Sequence, residues 1–124
     1  MKELTRAEEQ IMHILWEINQ GFIKDILEKT DEPKPAYNTV STIVRILEKK
    51  GFIGYKAYGK THEYYPLISK ETYKKELMGN VVKNYFSNSF KQLVSFFAND
   101  KQMTLEELEE IQTMLEKEII KQKK

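Results

Sequence analysis

The chain has 124 residues, of which 40% are hydrophobic and 31% are charged, and its formal net charge at pH 7 is only +1. This length predicts one domain, or one small domain with an appendage, and the overall charge favours neither a nucleic-acid nor a membrane-surface partner. The sequence contains no cysteine, which excludes disulfides and a thiolate metal site. It also lacks an apolar run long enough for a membrane span and the apolar segment of a signal peptide, so we expect a soluble cytoplasmic protein without membrane insertion.

Two helices are predicted at the start of the chain. Thr5 followed by Glu8 has the spacing of a capping box, which begins a helix, and the residues after it carry an apolar stripe typical of a core-facing side. That stripe contains Ala7, Ile11, Ile14, Leu15 and Ile18, and Met12 and Trp16 widen it. Gly21 is expected to end this helix in the left-handed conformation. A shorter second helix is predicted at about residues 22–29.

Residues 36–51 predict a third helix with two different faces. The i, i+3, i+4, i+7 spacing that marks a core-facing side is formed by Val40, Ile43, Val44 and Leu47. The opposite stripe contains Asn38, Ser41, Thr42, Arg45 and Lys49. Short hydrogen-bonding side chains with one arginine suit a helix that reaches base edges in a major groove. Gly51 is predicted to end this helix, because glycine accepts the left-handed conformation.

After Gly51 the apolar period changes from 3.6 to 2, and residues 52–67 predict a β-hairpin with its turn at Gly59 and Lys60. Three helices followed by a hairpin is the order of a winged helix-turn-helix domain, in which the hairpin is the wing. Residues 45–60 contain five basic side chains and one acidic side chain, a local charge of +4. Such a patch on a nearly neutral chain is compatible with DNA binding.

The rest of the chain predicts helices only. Ser69 is a candidate cap for the first of them, Asn99 and Asp100 interrupt the pattern, and Thr104 begins a second capping box. The predicted fold is therefore mainly α with a small β-hairpin: a winged helix-turn-helix DNA-binding domain at residues 1–68 and a helical dimerisation domain at residues 69–124.

Large apolar side chains in these C-terminal helices have no obvious partner in the first domain. We expect them to hold a second copy of the chain, although packing against the winged helix is the alternative. The expected dimer contacts are Leu77, Val81, Tyr85, Phe86, Phe90, Leu93, Phe97, Leu108, Ile111 and Leu115.

Other function classes have weaker support in the sequence. His13 lies in a core-forming helix and His62 in the hairpin, and neither has a carboxylate pair or a glycine-rich phosphate loop beside it. Two isolated histidines without cysteine make a poor metal site. We therefore predict no enzyme activity, no cofactor and no metal. A winged helix that serves only as a protein-interaction module remains the alternative to DNA binding.

Residues 39–42 (Thr-Val-Ser-Thr) and 47–51 (Leu-Glu-Lys-Lys-Gly) resemble the recognition-helix signature of the penicillinase-repressor family, which includes BlaI and MecI and has the copper-responsive CopY repressors as relatives. Residues 59–66 are similar to its wing, and residues 4–16 resemble its first helix, including the family's Leu-Trp pair. The resemblance covers essentially the whole chain. It implies a dimeric transcriptional repressor whose winged helix binds an operator dyad and whose C-terminal helices dimerise.

The polar face and the resemblance together predict which residues contact DNA. The candidates for contacts in the major groove are Thr39, Ser41, Thr42 and Arg45. Asn38, near the start of the helix, is a candidate for contact with either a base or a phosphate. The candidates for phosphate contacts, which position a protein without reading sequence, are Lys49, Lys50, Lys56 and Lys60. The expected partners are a palindromic double-stranded DNA operator and a second copy of the chain.

Three departures from the family pattern bear on these predictions. The family usually has arginine immediately before the leucine of its recognition helix, whereas this chain has Ile46 there and Arg45 one residue earlier. The copper-responsive relatives use C-terminal cysteines, so copper sensing is not expected. The β-lactam-responsive members are cleaved at an Asn-Phe bond. The corresponding place is Phe96-Phe97, which makes a membrane sensor protease a candidate partner even though the Asn is missing.

Overall fold

The computed structural model describes residues 3–100 and 102–124, and they form six α-helices and one β-hairpin. The elements are α1 (Arg6–Ile18), α2 (Ile23–Glu28), α3 (Tyr37–Lys49), β1 (Ile53–Tyr58), β2 (Thr61–Pro66), α4 (Lys70–Tyr85), α5 (Phe90–Asn99) and α6 (Leu105–Lys123). The predicted mainly helical fold with a small hairpin is confirmed. The chain divides into two compact units, Met1–Glu76 and Leu77–Lys124. Within the described residues, every helix is too short or too polar to cross a bilayer.

The first unit has a core built from α1, α2, α3 and the hairpin. Eight of its apolar side chains are at most 1% exposed: Met12, Leu15, Ile26, Val40, Val44, Leu47, Phe52 and Ile53. The predicted core stripe of α3 is confirmed, with Ile43 partly buried against the same cluster. Because α3 places this stripe inward, its polar stripe lies on the outer side of the unit.

The predicted capping box at the start of α1 is confirmed, whereas two other predictions about this helix are wrong. The Thr5 hydroxyl accepts a hydrogen bond from the Glu8 backbone N–H at 3.2 Å, and the Glu8 carboxylate accepts one from the Thr5 N–H at 2.8 Å. Ala7 is exposed rather than part of the core, because the buried side of the first turn is the one that carries Glu8. The helix ends at Asn19, which has a positive φ of 71°, and not at Gly21.

Gly21 instead joins the hairpin to the helices. Its N–H and C=O bond to the backbone of Tyr64 at 2.9 and 2.8 Å, and a Cβ at this position would lie 2.8 Å from the Ile18 side chain. A side chain at this position would displace the end of the Ile18 side chain and crowd Asp25, so a glycine suits this close approach. This bridge fixes the hairpin beside the start of α2. At the other end of α3, Gly51 has a φ of 83° and ends the helix as predicted.

The first turns of α4 belong to the first unit. Ser69 caps this helix by accepting a hydrogen bond from the Thr72 N–H at 3.1 Å, as predicted. Tyr73 is only 7% exposed, and its hydroxyl donates to the Glu9 carboxylate at 2.7 Å. The Tyr73 ring lies 5.6 Å from that of Trp16. The first compact unit therefore continues past residue 68, where we predicted the first domain to end.

The second unit contains the rest of α4 together with α5 and α6. Ser89 caps α5, and Thr104 with Glu107 forms the predicted capping box of α6. The rings of Phe86 and Phe96 lie 5.6 Å apart in an edge-to-face arrangement. Of the residues that the structure describes in this unit, only Val82 is buried.

Candidate nucleic-acid interface

A groove in the first unit separates α3 from the hairpin. It has a volume of about 820 Å³, and its walls come from the start of α2, one side of α3 and one face of the hairpin. Among the predicted DNA-binding residues, it brings together Asn38, Ser41, Arg45, Lys49 and Lys60. The first four are on α3 and the last is on the hairpin turn, so this part of the predicted site is one continuous surface.

The groove is predominantly basic. Lys24, Arg45, Lys49 and Lys60 line it, and Glu48 is the one carboxylate among its described lining residues. A concave surface lined by one sign of charge concentrates the opposite charge, and the DNA backbone supplies such a partner. The net charge of the whole chain, +1, does not reveal this local excess of basic side chains.

Aromatic side chains that sequence reasoning did not select also line the groove. Tyr55 and His62 stack on the hairpin with ring centroids 4.1 Å apart and an interplanar angle of 10°, and Tyr37 is 52% exposed at the start of α3. The strand register pairs Tyr55 with Tyr64 and Ala57 with His62. These four residues therefore share one face of the hairpin, and the alternation of the two strands was the signal that could have found them.

Burial raises the pKa of Tyr64 above its ordinary value, with a further contribution from the Glu48 carboxylate. Tyr64 thus remains neutral at physiological pH, and its ring is 7% exposed at the base of the groove. We assign Tyr64 to the stability of the fold, since its backbone forms the β-bridge with Gly21.

Three exposed residues of α3 lie outside the groove. Thr39, Thr42 and Ile46 follow one another at spacings of three and four residues, which aligns them on a helix, and none of them lines the groove. The Thr42 hydroxyl donates to the Asn38 carbonyl at 2.9 Å. The exposed surface of α3 therefore has a groove side with Arg45 and an outer side with these three residues.

The remaining predicted phosphate ligands are in different surroundings. Lys56 is exposed on β1, with its ammonium 5.4 Å from the centroid of the Tyr58 ring. The Lys50 ammonium is 2.7 Å from the Glu8 carboxylate and 3.1 Å from the Glu3 carbonyl. The structure thus joins Lys50 to α1 and does not bring it to the groove.

The Glu8–Lys50 pair is an internal contact of the first unit. Burial acts to raise the pKa of Glu8, but hydrogen bonds from Lys50 and the Thr5 backbone, with the charge of Lys50, outweigh it and leave that pKa below its ordinary value. A carboxylate that is 4% exposed is costly to bury without such partners. Lys50 therefore compensates a buried charge.

A second candidate surface is the apolar one on residues 77–124. Half of the residues predicted to form dimer contacts are exposed there, including Tyr85 at 79%, Phe90 at 64% and Leu115 at 50%. Val81, Phe86, Leu93, Leu108 and Ile111 are partly buried. Phe96 and Phe97, at the predicted cleavage position, lie inside α5. Exposed apolar surfaces of this kind are typical of association sites in other proteins.

No group of three or more histidine, aspartate and glutamate side chains within the described ranges is arranged to hold a metal ion. What the site does offer is a helix face with short polar side chains, a basic groove and a hairpin. These are the parts with which a winged helix contacts a duplex.

Comparison with known proteins agrees with this geometry. The family model described as penicillinase repressor matches residues 4–117. The methicillin resistance regulatory protein MecI of Staphylococcus aureus is 28% identical over 116 residues, which is 93% of this chain and 94% of MecI. The penicillinase repressor of Bacillus licheniformis is 25% identical over 117 residues, covering 92% of this chain and 90% of that protein.

A solved structure supports the fold. The DNA-binding domain of the repressor BlaI, solved in solution, matches with a TM-score of 0.50 and 22% identity, and covers 59% of this chain and 94% of that domain. The predicted winged-helix fold and the predicted family are both confirmed. The chain belongs to the penicillinase repressor family, whose members are DNA-binding transcriptional repressors.

Proposed function

We propose that this repressor acts as a homodimer on a palindromic operator, with one winged helix on each half-site. The observation that carries the proposal is the basic groove between α3 and the hairpin, together with the exposed polar face of α3 beside it. A helix placed in this way reaches base edges, while the basic side chains around it neutralise phosphates.

Each predicted residue has a role in this arrangement. Asn38, Thr39, Ser41, Thr42 and Arg45 contact the major groove. Lys49 and Lys60 line the basic groove and Lys56 is exposed on β1, and we assign phosphate contacts to all three. Lys50 is paired with Glu8, so we assign it to the stability of the first unit instead.

Dimerisation through residues 77–124 is supported by the exposure of their apolar side chains. Phe90 and Leu115 are at least half exposed in the single chain, and a second copy supplies the same apolar surface in return, as a two-fold interface requires. A two-fold dimer presents two α3 helices related by symmetry, which is why the operator is expected to be a palindrome.

Relief of repression is proposed to act on the second unit. The Phe96-Phe97 bond lies within α5, where the Phe96 carbonyl accepts a hydrogen bond from the Asp100 N–H at 3.2 Å. Cleavage there by a sensor protease therefore requires the last turn of α5 to open first. Because the proposed partner is DNA, we infer a cytoplasmic location.

The test is selection of bound fragments from the genome of the source organism with the full chain. Enrichment of fragments that share a palindrome is the expected result. If no sequence is enriched while the folded protein recovers a specific protein partner, the winged helix is an interaction module and the proposal is wrong.

A further inference from the structure

Ile46 is an apolar side chain on the outer side of α3. It is 39% exposed, whereas Leu47 next to it is fully buried. On the helix it follows Thr42 by four residues and Thr39 by seven, so the three form one stripe. Arg45 lines the groove and Ile46 does not, so the helix directs these two neighbours to different parts of its surface.

The stripe offers methyl groups more than hydrogen-bond donors. The hydroxyl hydrogen of Thr42 is engaged by the Asn38 carbonyl of its own helix at 2.9 Å, and the side chain of Ile46 has no polar atom. Among the base edges in the major groove, the apolar feature is the C5-methyl group of thymine. An isoleucine presented to that groove therefore gains most by packing against a thymine.

We propose that Ile46 packs against the C5-methyl group of a thymine in the major groove and so selects a T·A pair in each half-site. The inference rests on the proposed function, in which α3 enters the major groove. Cytosine at the same place offers an amino donor and no methyl group. That donor would lose water without gaining an acceptor from Ile46, which disfavours the C·G pair.

The experiment uses the full chain and the operator obtained by genomic selection. Each thymine is replaced in turn by deoxyuridine, which removes the C5-methyl group and keeps the Watson–Crick edge. At one thymine in each half-site, the wild-type protein should lose about fourfold in affinity, the effect of one buried methyl group. Ile46→Ala should show no further loss at that thymine and should keep any loss found at others.

Lys49→Ala is the matched control, because Lys49 lies three residues from Ile46 on the same helix and is assigned to a phosphate. It should bind all duplexes more weakly and keep the fourfold deoxyuridine effect. Thermal unfolding of Ile46→Ala should match the wild type, since the side chain is outside the core.

The outcomes separate the inference from the function on which it rests. If the wild type binds the operator specifically but ignores every deoxyuridine substitution, or if Ile46→Ala keeps the full effect at every thymine, the inference is wrong and the repressor function stands. If genomic selection enriches no sequence, the proposed function fails and the inference fails with it.

Discussion

The two compact units differ in how far their large apolar side chains are buried. Phe52 in the first unit is 1% exposed, whereas Phe90 in the second is 64% exposed. In the first unit, α1, α2, α3 and the hairpin cover one another's apolar side chains. After Glu76, Val82 is the one buried residue among those described. The first unit therefore encloses the core that stabilises it, and the second leaves an apolar surface that another chain can cover.

The largest effect is expected when the first unit is produced without the second. A protein that ends at Glu76 should be a folded monomer, because the core of the first unit is complete without the later residues. Its affinity for the whole operator should fall by roughly 10²–10⁴, since the binding of the second head is no longer effectively intramolecular. Titration of whole and half operators with both proteins measures this loss.

The control for that truncation is a shorter protein that ends at Leu67. It lacks Tyr73 and the Ile68 carbonyl, which accepts a hydrogen bond from the Trp16 indole at 2.9 Å. Its free energy of unfolding should be lower than that of residues 1–76. Equal affinity of residues 1–76 and the full chain for the operator would contradict the proposed role of the second unit.

Two phenylalanine substitutions, one in each unit, test whether a buried and an exposed ring have different roles. Phe52→Ala should lower the free energy of unfolding of the first unit by about 3–5 kcal/mol, as for other buried aromatic residues. Phe90→Ala should leave that unit unchanged and weaken self-association instead. Chemical denaturation and light scattering distinguish the two effects, and a Phe90→Ala protein that dimerises as well as the wild type would remove Phe90 from the interface.

Substitutions of two adjacent lysines should have different effects, one on stability and the other on DNA binding. Lys50→Met leaves the buried Glu8 carboxylate without its cation and should destabilise the first unit by about 1–3 kcal/mol. Lys49→Met should not alter unfolding and should weaken binding to all DNA sequences. Loss of DNA binding by a folded Lys50→Met protein, at constant stability, would show that Lys50 contacts phosphate.

The Glu8–Lys50 pair also predicts a pH dependence. Since the folded state holds the pKa of Glu8 below its ordinary value of 4.5, the pair stabilises the first unit fully above that value. This stabilisation is lost as the pH falls through the folded-state pKa. The difference in unfolding free energy between wild type and Lys50→Met should therefore shrink as the solution is acidified below about pH 4.5, and a difference that grows would contradict the assignment.

Single DNA contacts are expected to have effects no larger than that of Lys50. Arg45→Ala should cost roughly 1–3 kcal/mol on the selected operator and less on random DNA if Arg45 contacts a base. Lys60→Ala should weaken binding to every sequence and reduce the salt dependence of binding by about one unit. Equal losses on both DNAs would make Arg45 a phosphate contact, and an unchanged salt slope would show that the hairpin turn does not touch DNA.

Local patterns predicted the helices and the hairpin well. The capping boxes at Thr5 and Thr104, the apolar stripe of α3 and the turn at Gly59 all depend on residues close in sequence. The polar stripe of α3 was predictable for the same reason. The helical period alone shows which residues lie on one face of a helix.

Contacts between distant residues were not predictable in this way. Tyr73 and Glu9 are 64 positions apart, and no local pattern joins one to the other. Lys50 and Glu8 are 42 positions apart, and each had a plausible local role as a phosphate ligand or a cap. The sequence shows which side chains share a face, whereas the partner of that face depends on the packing of other elements.

We propose that two chains bind one palindromic operator, one on each half. The most direct test is the mass of the complex between the full chain and the selected operator duplex, measured by analytical ultracentrifugation at saturating protein. We expect two chains on the whole operator, with both lost together on dilution. One chain on each duplex, with full affinity and sequence specificity, would contradict it.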